Sequence, residues 1–443
     1  MELFSKSDLR KLIVPLILEQ VLAMLVGLCD TVMVSNVGEA AVSGVSLVDM
    51  LNQLAITVFA ALATGGAVIA SQYIGHKNQK KACESANQLL LVVLFISLAV
   101  MGICALGRAS ILRLFFGKIE ADVMSSALTY FLLSAFSYPL LAVYNAGAAL
   151  FRSMGNSKIT LLISGIMNVI NVACNAVFIF GFHMGVAGAA LGSLIARGFS
   201  AIIICLLLRS EKNQIHFIRF QRPFFDFKLA KKILYIGIPN GIENGIFQLG
   251  RIIVVAIIAG FGTTQIAANA VANVFDGIGI IPGSAFSLAI ITIVGQCVGA
   301  GDYEQARLYT RKLLGQCYVI FLVLNGLLVL TLDVTLQVYA LSPETLTLAK
   351  LLITIHGVAA ILLWPLAFVL PNTLRASNDV RYTMSISVFS MFVFRILTSL
   401  LLAVHFGMGA VGVWIAMIID WIFRVIMFVL RYRGDKWQRV KLI

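Results

Sequence analysis

The chain repeats itself. A residue in the first half meets a like partner 224 positions later, without a gap over long stretches: Pro15 with Pro239, Glu19 with Glu243, Gly38 with Gly262, Gln72 with Gln296, Gly75 with Gly299. Near the end of each half, Met184, Gly185 and Gly188 pair with Met408, Gly409 and Gly412 at the same offset. Each copy is a series of long apolar runs separated by short polar turns. A spanning helix needs about 20 mostly apolar residues, and twelve such runs can be placed, at roughly 12–35, 47–74, 87–107, 126–151, 159–182, 186–208, 233–259, 266–298, 313–332, 348–373, 383–404 and 410–430. The expected fold is an all-α membrane protein of twelve transmembrane helices in two pseudo-symmetric six-helix lobes. The lobes take 1–208 and 233–443, joined by a cytoplasmic linker at 209–232. An even number of spans per copy makes the two repeats parallel, with their symmetry axis along the membrane normal.

Composition closes other routes. Of the 443 residues 60% are hydrophobic and 12% charged, and mean hydropathy is +0.97, whereas a soluble domain carries about 25% charged residues. The net charge of +13 does not call for nucleic acid, because the basic residues gather in alternate loops. One side holds Lys6, Arg10, Lys11, Lys77, Lys80, Lys81, Arg152, Lys158, the 209–232 segment, Arg307, Arg311, Lys312, Arg375, Arg381 and a basic tail from Arg431 to Lys441. The other holds Arg108, Arg113 and Lys118, offset by Glu120 and Asp122. The positive-inside rule makes the first side, with both termini, cytoplasmic. The run from Leu12 is long enough to span and reads as a membrane helix rather than a removable signal. Seven scattered cysteines and five dispersed histidines form no metal-ligand spacing. The glycine-rich GIGIIPG lies inside a span, and there is no Walker motif, so an ATP-driven machine or an enzyme is not expected. Phe224, Phe225 and Phe227 alternate with charge in the linker, a pattern that suits a membrane surface.

Ionisable and amide groups inside spans carry the functional argument, because they are costly there. Asp30, in GLCDTVMVSN, has no Lys or Arg near it in sequence. A carboxylate so placed binds a cation, finds a partner on another helix, holds a proton, or sits near water at the helix end. Asn168, Asn171 and Asn175 recur at i, i+3 and i+7, which puts three amides on one helix face. Amide oxygens suit a hard cation and equally serve as interhelical glue. Ser193 in the next span can add a hydroxyl. Glu243 follows Pro239 by four residues, and Glu19 follows Pro15 likewise. Each proline frees a carbonyl one turn back, so an acid beside a kink reads as a gating or binding feature, or as a residue that snorkels to the surface. Asp276 is a third acid in a span. Asp420 and Arg424 are spaced for a local i, i+4 pair. Arg197, Arg251 and Arg395 read as buried cations, with Arg251 placed to meet Glu243 or Asp276.

Taken together these segments resemble the multidrug and toxic compound extrusion (MATE) family, over essentially the whole chain. The carriers are the proline-containing starts of spans 1 and 7, CDTVMVSNVG, the glycine loops SQYIGHKNQKKA and GQCVGAGDYEQA, LFRSMGNSK with its echo LRASNDVRY, and the turns HMGVAGAALGS and GMGAVGVWIA. The resemblance implies a V-shaped pair of lobes exporting drug-like, often cationic compounds against inward Na+ or H+, with no cofactor and a monomer as the transport unit. By position it assigns Asp30, Asn171, Asn175 and Ser193 to a first-lobe ion site, with Asp30, Asn171 and Asn175 as candidate Na+ ligands. It places Glu243, Asp276, Glu19 and Arg251 as substrate-side or second-lobe groups. Many relatives carry an aspartate where this chain has Asn175, so one formal charge is missing here and the choice between Na+ and H+ stays open. The second coupling acid that some members carry in span 10 is absent from HGVAAILLWPLAFVLPN, which favours a DinF-like pattern. The alternative within the wider superfamily is a flippase for lipid-linked precursors.

Overall fold

The computed structural model describes residues 3–117, 120–218, 225–339 and 341–442; Lys118 and Phe224, used above, lie outside the described residues. The long apolar runs are α-helices because a bilayer offers no water to the backbone, so each segment must satisfy its own N–H and C=O groups. In the first half these are α1 (Lys6–Ser35), α2 (Glu39–Gly75), α3 (Gln79–Phe116), α4 (Ala121–Phe136 and Tyr138–Ser153), α5 (Ser157–Gly181) and α6 (Gly185–Leu208). In the second half they are α7 (Phe227–Ala259), α8 (Thr263–Gly279, continued after Ile280 by Ile281–Gly299), α9 (Tyr303–Leu330), α10 (Pro343–Ala376), α11 (Val380–His405) and α12 (Gly409–Arg433). Among the described residues eleven helices are long and apolar enough to span, and twelve when the two parts of α4 count as one span bent by 45°. Pro139, at the start of the second part of α4, accounts for that bend by withholding an N–H from the preceding turn. Outward faces are apolar, with Leu106 90% and Leu330 81% exposed, as a lipid-facing surface requires.

The duplication is visible in the backbone. Positive φ angles at Gly38, Lys77, His183 and Gly185 recur 224 residues later at Gly262, Gly301, Gly407 and Gly409. The turn at Gly155 (φ 76°) recurs at Asn378 (φ 69°). Side-chain caps recur too: Asn78 accepts from Lys81 N at the start of α3, and Asp302 accepts from Gln305 N at the start of α9. A π-helical turn closes α5 at Val177–Gly181 and α11 at Leu400–His405.

The chain divides into two compact units, Phe4–Gly241 and Ile242–Ile443, the latter joined by Leu3, so the main division falls inside α7, two residues past Pro239. The first turns of α7 belong to the first unit for a steric reason. Gly65 on α2 lies so close to the backbone of Ile233 and Gly237 that a Cβ there would sit 2.6 Å from a carbonyl oxygen, the close approach that small residues permit between membrane helices. The stretch before α7 is tied to the same unit: Asn87 Nδ2 donates to Ile218 O at 2.8 Å, and Ile215 is fully buried. The first unit packs α1 on α5, α2 on α4 and α5 on α6 around Phe59, Phe131, Tyr138 and Phe151. The second buries Phe286, Tyr309, Phe321, Phe428 and Trp437.

Candidate functional site

In the first unit α1, α5 and α6 bring together the four residues singled out for an ion site. Asn175 Nδ2 donates to Asp30 Oδ1 at 2.8 Å and approaches Asn171 Oδ1 at 3.4 Å, while Asn171 Nδ2 donates to Ser193 Oγ at 3.0 Å. A single chain of polar contacts thus runs across three helices. Asn168, Asn171 and Asn175 are all buried, on the face that α5 turns inward. Asn168 joins no member of the set, and its Nδ2 is buried without a partner. Asn175 Oδ1 is likewise buried and unpartnered. It points at Gly192 of α6, where an added Cβ would lie 2.0 Å from it; the glycine makes room for the amide. One carboxylate, two amides and a hydroxyl form a hard-oxygen set of the kind that suits Na+. Asn175 must turn its amide over to present oxygen to an ion, because in this arrangement its nitrogen faces the carboxylate. The same carboxylate can take a proton instead.

A second polar group in the same unit escaped the sequence reading. Asp49 on α2 accepts from Tyr130 OH at 3.2 Å and from Asn52 Nδ2 at 3.2 Å, and Tyr138 OH donates to Asn52 Oδ1 at 2.8 Å. Arg197, one turn beyond Ser193 on α6, donates to Ser137 Oγ. The charges of Asp49 and Arg197 both act on Asp30. The missed signal was Asp49 and Asn52 at i, i+3, close to the first residues of an apolar run whose start hydropathy fixes only loosely.

The acids beside the prolines turn out to be paired rather than snorkelled. Glu19 is 8% exposed; Arg152 Nη1 lies 3.4 Å from Oε1, and Thr160 donates to Oε2 at 2.9 Å. Glu243 is 6% exposed; Arg375 Nη2 donates to Oε1 at 2.7 Å and Ser387 Oγ donates to the same atom. The two pairs occupy corresponding places in the two halves, at the start of the loop motifs LFRSMGNSK and LRASNDVRY. Glu243 therefore takes Arg375, not Arg251, and Arg251 is exposed rather than buried. The reason is geometric: Arg251 stands eight residues on from Glu243 along α7, whereas Arg375 is held beside it at the end of α10. Asp420 and Arg424 form the expected local pair at 3.0 Å, but Arg395 also reaches Asp420 at 3.5 Å, and both guanidinium groups lie over Phe247. Asp276 sits 2.8 Å from His356 Nε2, at ion-pair distance but without hydrogen-bond alignment. Edges of Trp414 and Trp421 enclose that histidine. Nothing local in sequence signals the Asp276–His356 approach.

A duplicated set of membrane spans that gathers polar groups in its interior defines the class of polytopic transporters. The MatE family model matches the chain twice, over residues 15–177 and 239–401, two stretches of equal length whose starts are 224 residues apart. The chain belongs to the MATE family, whose members are transporters and not enzymes. Among proteins of similar sequence are an uncharacterized transporter, YisQ, of Bacillus subtilis, 27% identical over 96% of this chain and 93% of its own length, and a probable multidrug resistance protein NorM of Thermotoga maritima, 25% identical over 98% and 93%. Among solved structures, one of MATE in the bent conformation superposes with a TM-score of 0.88 at 17% identity, covering 98% of this chain and 96% of that one. An outward-facing multidrug resistance MATE transporter gives 0.89 at 19% identity, covering 98% and 96%. These two establish the fold.

Proposed function

We propose that the protein is a secondary active exporter of lipophilic, often cationic compounds, in exchange for Na+ or H+ and by alternating access, in the cell membrane and with both termini cytoplasmic. The reading rests on one observation above others: Asp30, Asn175, Asn171 and Ser193, from three separate helices, meet in one continuous polar chain inside an apolar bundle. Relatives described as multidrug resistance proteins support the same substrate range.

In this mechanism Asp30 is the coupling group. Arrival of the ion replaces the Asn175 amide hydrogens at Oδ1, frees Asn175 to rotate, and lets Asn171 and Ser193 close the ligand set. The ion drives transport only by binding the two facing states unequally, and about 1.4 kcal/mol of difference shifts their ratio tenfold. The contact between α1 and α5 is the element it biases, and the DinF-like pattern, with the ion in the first half, follows. Glu19 and Glu243, each held by an arginine beside a proline-bearing helix, act on the substrate side as fixed supports of the moving helices. Each copy of the chain contains a full set of these groups, so a monomer suffices.

Efflux of a fluorescent lipophilic cation from proteoliposomes, with Na+ and pH gradients imposed separately, tests the reading. Export under one gradient and its loss in Asp30→Asn are the expected results. Export by Asp30→Asn at the wild-type rate, or none by the wild type under either gradient, contradicts it.

A further inference from the structure

The second unit contains a cavity at the place that corresponds to the first-unit ion site, and its charge is reversed. Val254, Arg395 and Met417 line a partly open space of about 60 Å³. At the offset of 224 these are the counterparts of Asp30, Asn171 and Ser193. Arg251, Asn273 and Asp276 also line it, where the first half has Gly27, Asp49 and Asn52. Asp30 of the first site and the neighbouring Asp49 are thus replaced by a valine and an amide, Asn52 by the carboxylate of Asp276, and two arginines are added.

Those arginines are only weakly engaged by the protein's own acids. Arg375 answers Glu243, and Asp420 is already bound through Oδ1 to Arg424 Nε and Ser390 Oγ. Arg395 keeps only a 3.5 Å contact to Asp420 Oδ2; it is 8% exposed, and its Nε is buried without a partner. It sits in a π-helical segment, Met391–Leu397, a distortion that often marks functional positions. Arg251 makes no hydrogen bond or close ion pair among the described residues, though its charge acts on Asp276. The one acid of the cavity, Asp276, lies against His356. Two guanidinium groups therefore outweigh one carboxylate, in a space that also offers the Asn273 amide and the wall of Trp414 and Met417. A buried guanidinium nitrogen without an acceptor is costly, and a planar fork of N–H donors fits a carboxylate.

We infer that this cavity binds an organic anion, a carboxylate on an aromatic body, with Arg251 and Arg395 holding the carboxylate and Trp414 and Met417 packing against the ring. The anion is cargo, which rests on the exporter reading above and widens its substrate range beyond cations. Binding itself requires no gradient and can be tested apart from transport.

The test uses the full chain in lipid nanodiscs with no ion gradient, with empty nanodiscs as the blank. Equilibrium dialysis measures binding of 2-naphthoate, the neutral 2-naphthamide and the cationic 2-naphthylmethylammonium. Saturable binding of one naphthoate per chain is expected, about tenfold or more tighter than the amide. Arg251→Gln, at an exposed position without partners, should weaken naphthoate by about the same factor and leave the amide unchanged. Arg395→Lys, which keeps the charge but loses the fork, should also weaken it. Absence of saturable naphthoate binding overturns the inference, as does equal affinity for all three probes or indifference of naphthoate to both substitutions. Failure here leaves gradient-driven cation export standing, and failure of that export leaves the binding result standing.

Discussion

Within the spans of the first half, three acids, Glu19, Asp30 and Asp49, stand with two arginines, Arg152 and Arg197; in the second, four arginines, Arg251, Arg375, Arg395 and Arg424, stand with Glu243, Asp276 and Asp420. The backbone plan is shared down to its left-handed turns. What the comparison teaches is which residues a duplication holds in common and which it releases. Positive-φ turns, proline positions and the Glu19–Arg152 and Glu243–Arg375 pairs recur because they set the path of the chain. The groups lining the interior have diverged, and with them the sign of the charge that each half offers to a ligand.

The largest expected effect separates the two proline-side pairs. Arg375→Ala strands Glu243, whose Oε2 is already buried without a partner, and should cost about 3–5 kcal/mol of stability. Arg152→Ala should cost clearly less, because its contact is longer, 3.4 Å against 2.7 Å, while each acid keeps one hydroxyl donor, Thr160 for Glu19 and Ser387 for Glu243. Thermal unfolding of both variants in the same detergent measures the difference, and equal losses break the comparison. A smaller effect is expected at the glycine that accommodates Asn175. Gly192→Ala overpacks the site by about 1–3 kcal/mol and should also depress ion-coupled export. The reverse change at its counterpart, Ala416→Gly, should cost only about 0.5–1 kcal/mol for a helical glycine and leave coupling intact. The smallest effect is reserved for Asp49→Asn. Its charge reaches Asp30 only from a distance, so ion affinity in efflux assays should change by less than about tenfold; complete loss of coupling would instead make Asp49 a direct ligand.

The spans, the repeat and the amide face of α5 were legible because each depends on local periodicity: apolar runs long enough to span, a constant offset, and amides spaced at i, i+3 and i+7; the grouping of Asp30 and Ser193 with Asn171 and Asn175 came from the family resemblance. The partners of the remaining charges were not. Arg375 is 132 positions from Glu243 and His356 is 80 from Asp276, and no local pattern links them. Hydropathy gives the ends of a run only loosely, and Asp49, the third residue of the 47–74 run, drew no reading. Arg251 was read as buried because it interrupts an apolar run; only the packing of α7 shows it opening on a cavity. The π-turn that carries Arg395 has no sequence signature at all.

The central claim is that the first half, through Asp30, couples ion to substrate. Its most direct test is the affinity of a lipophilic cation for the purified protein in nanodiscs as Na+ and pH are varied, for the wild type, Asp30→Asn and Asp276→Asn. Linkage requires that an ion which drives export also weakens substrate binding. The account predicts that one of the two ions lowers affinity in the wild type and in Asp276→Asn, and that Asp30→Asn abolishes the dependence. A dependence that survives in Asp30→Asn but disappears in Asp276→Asn would move the coupling site to the second half and contradict the account.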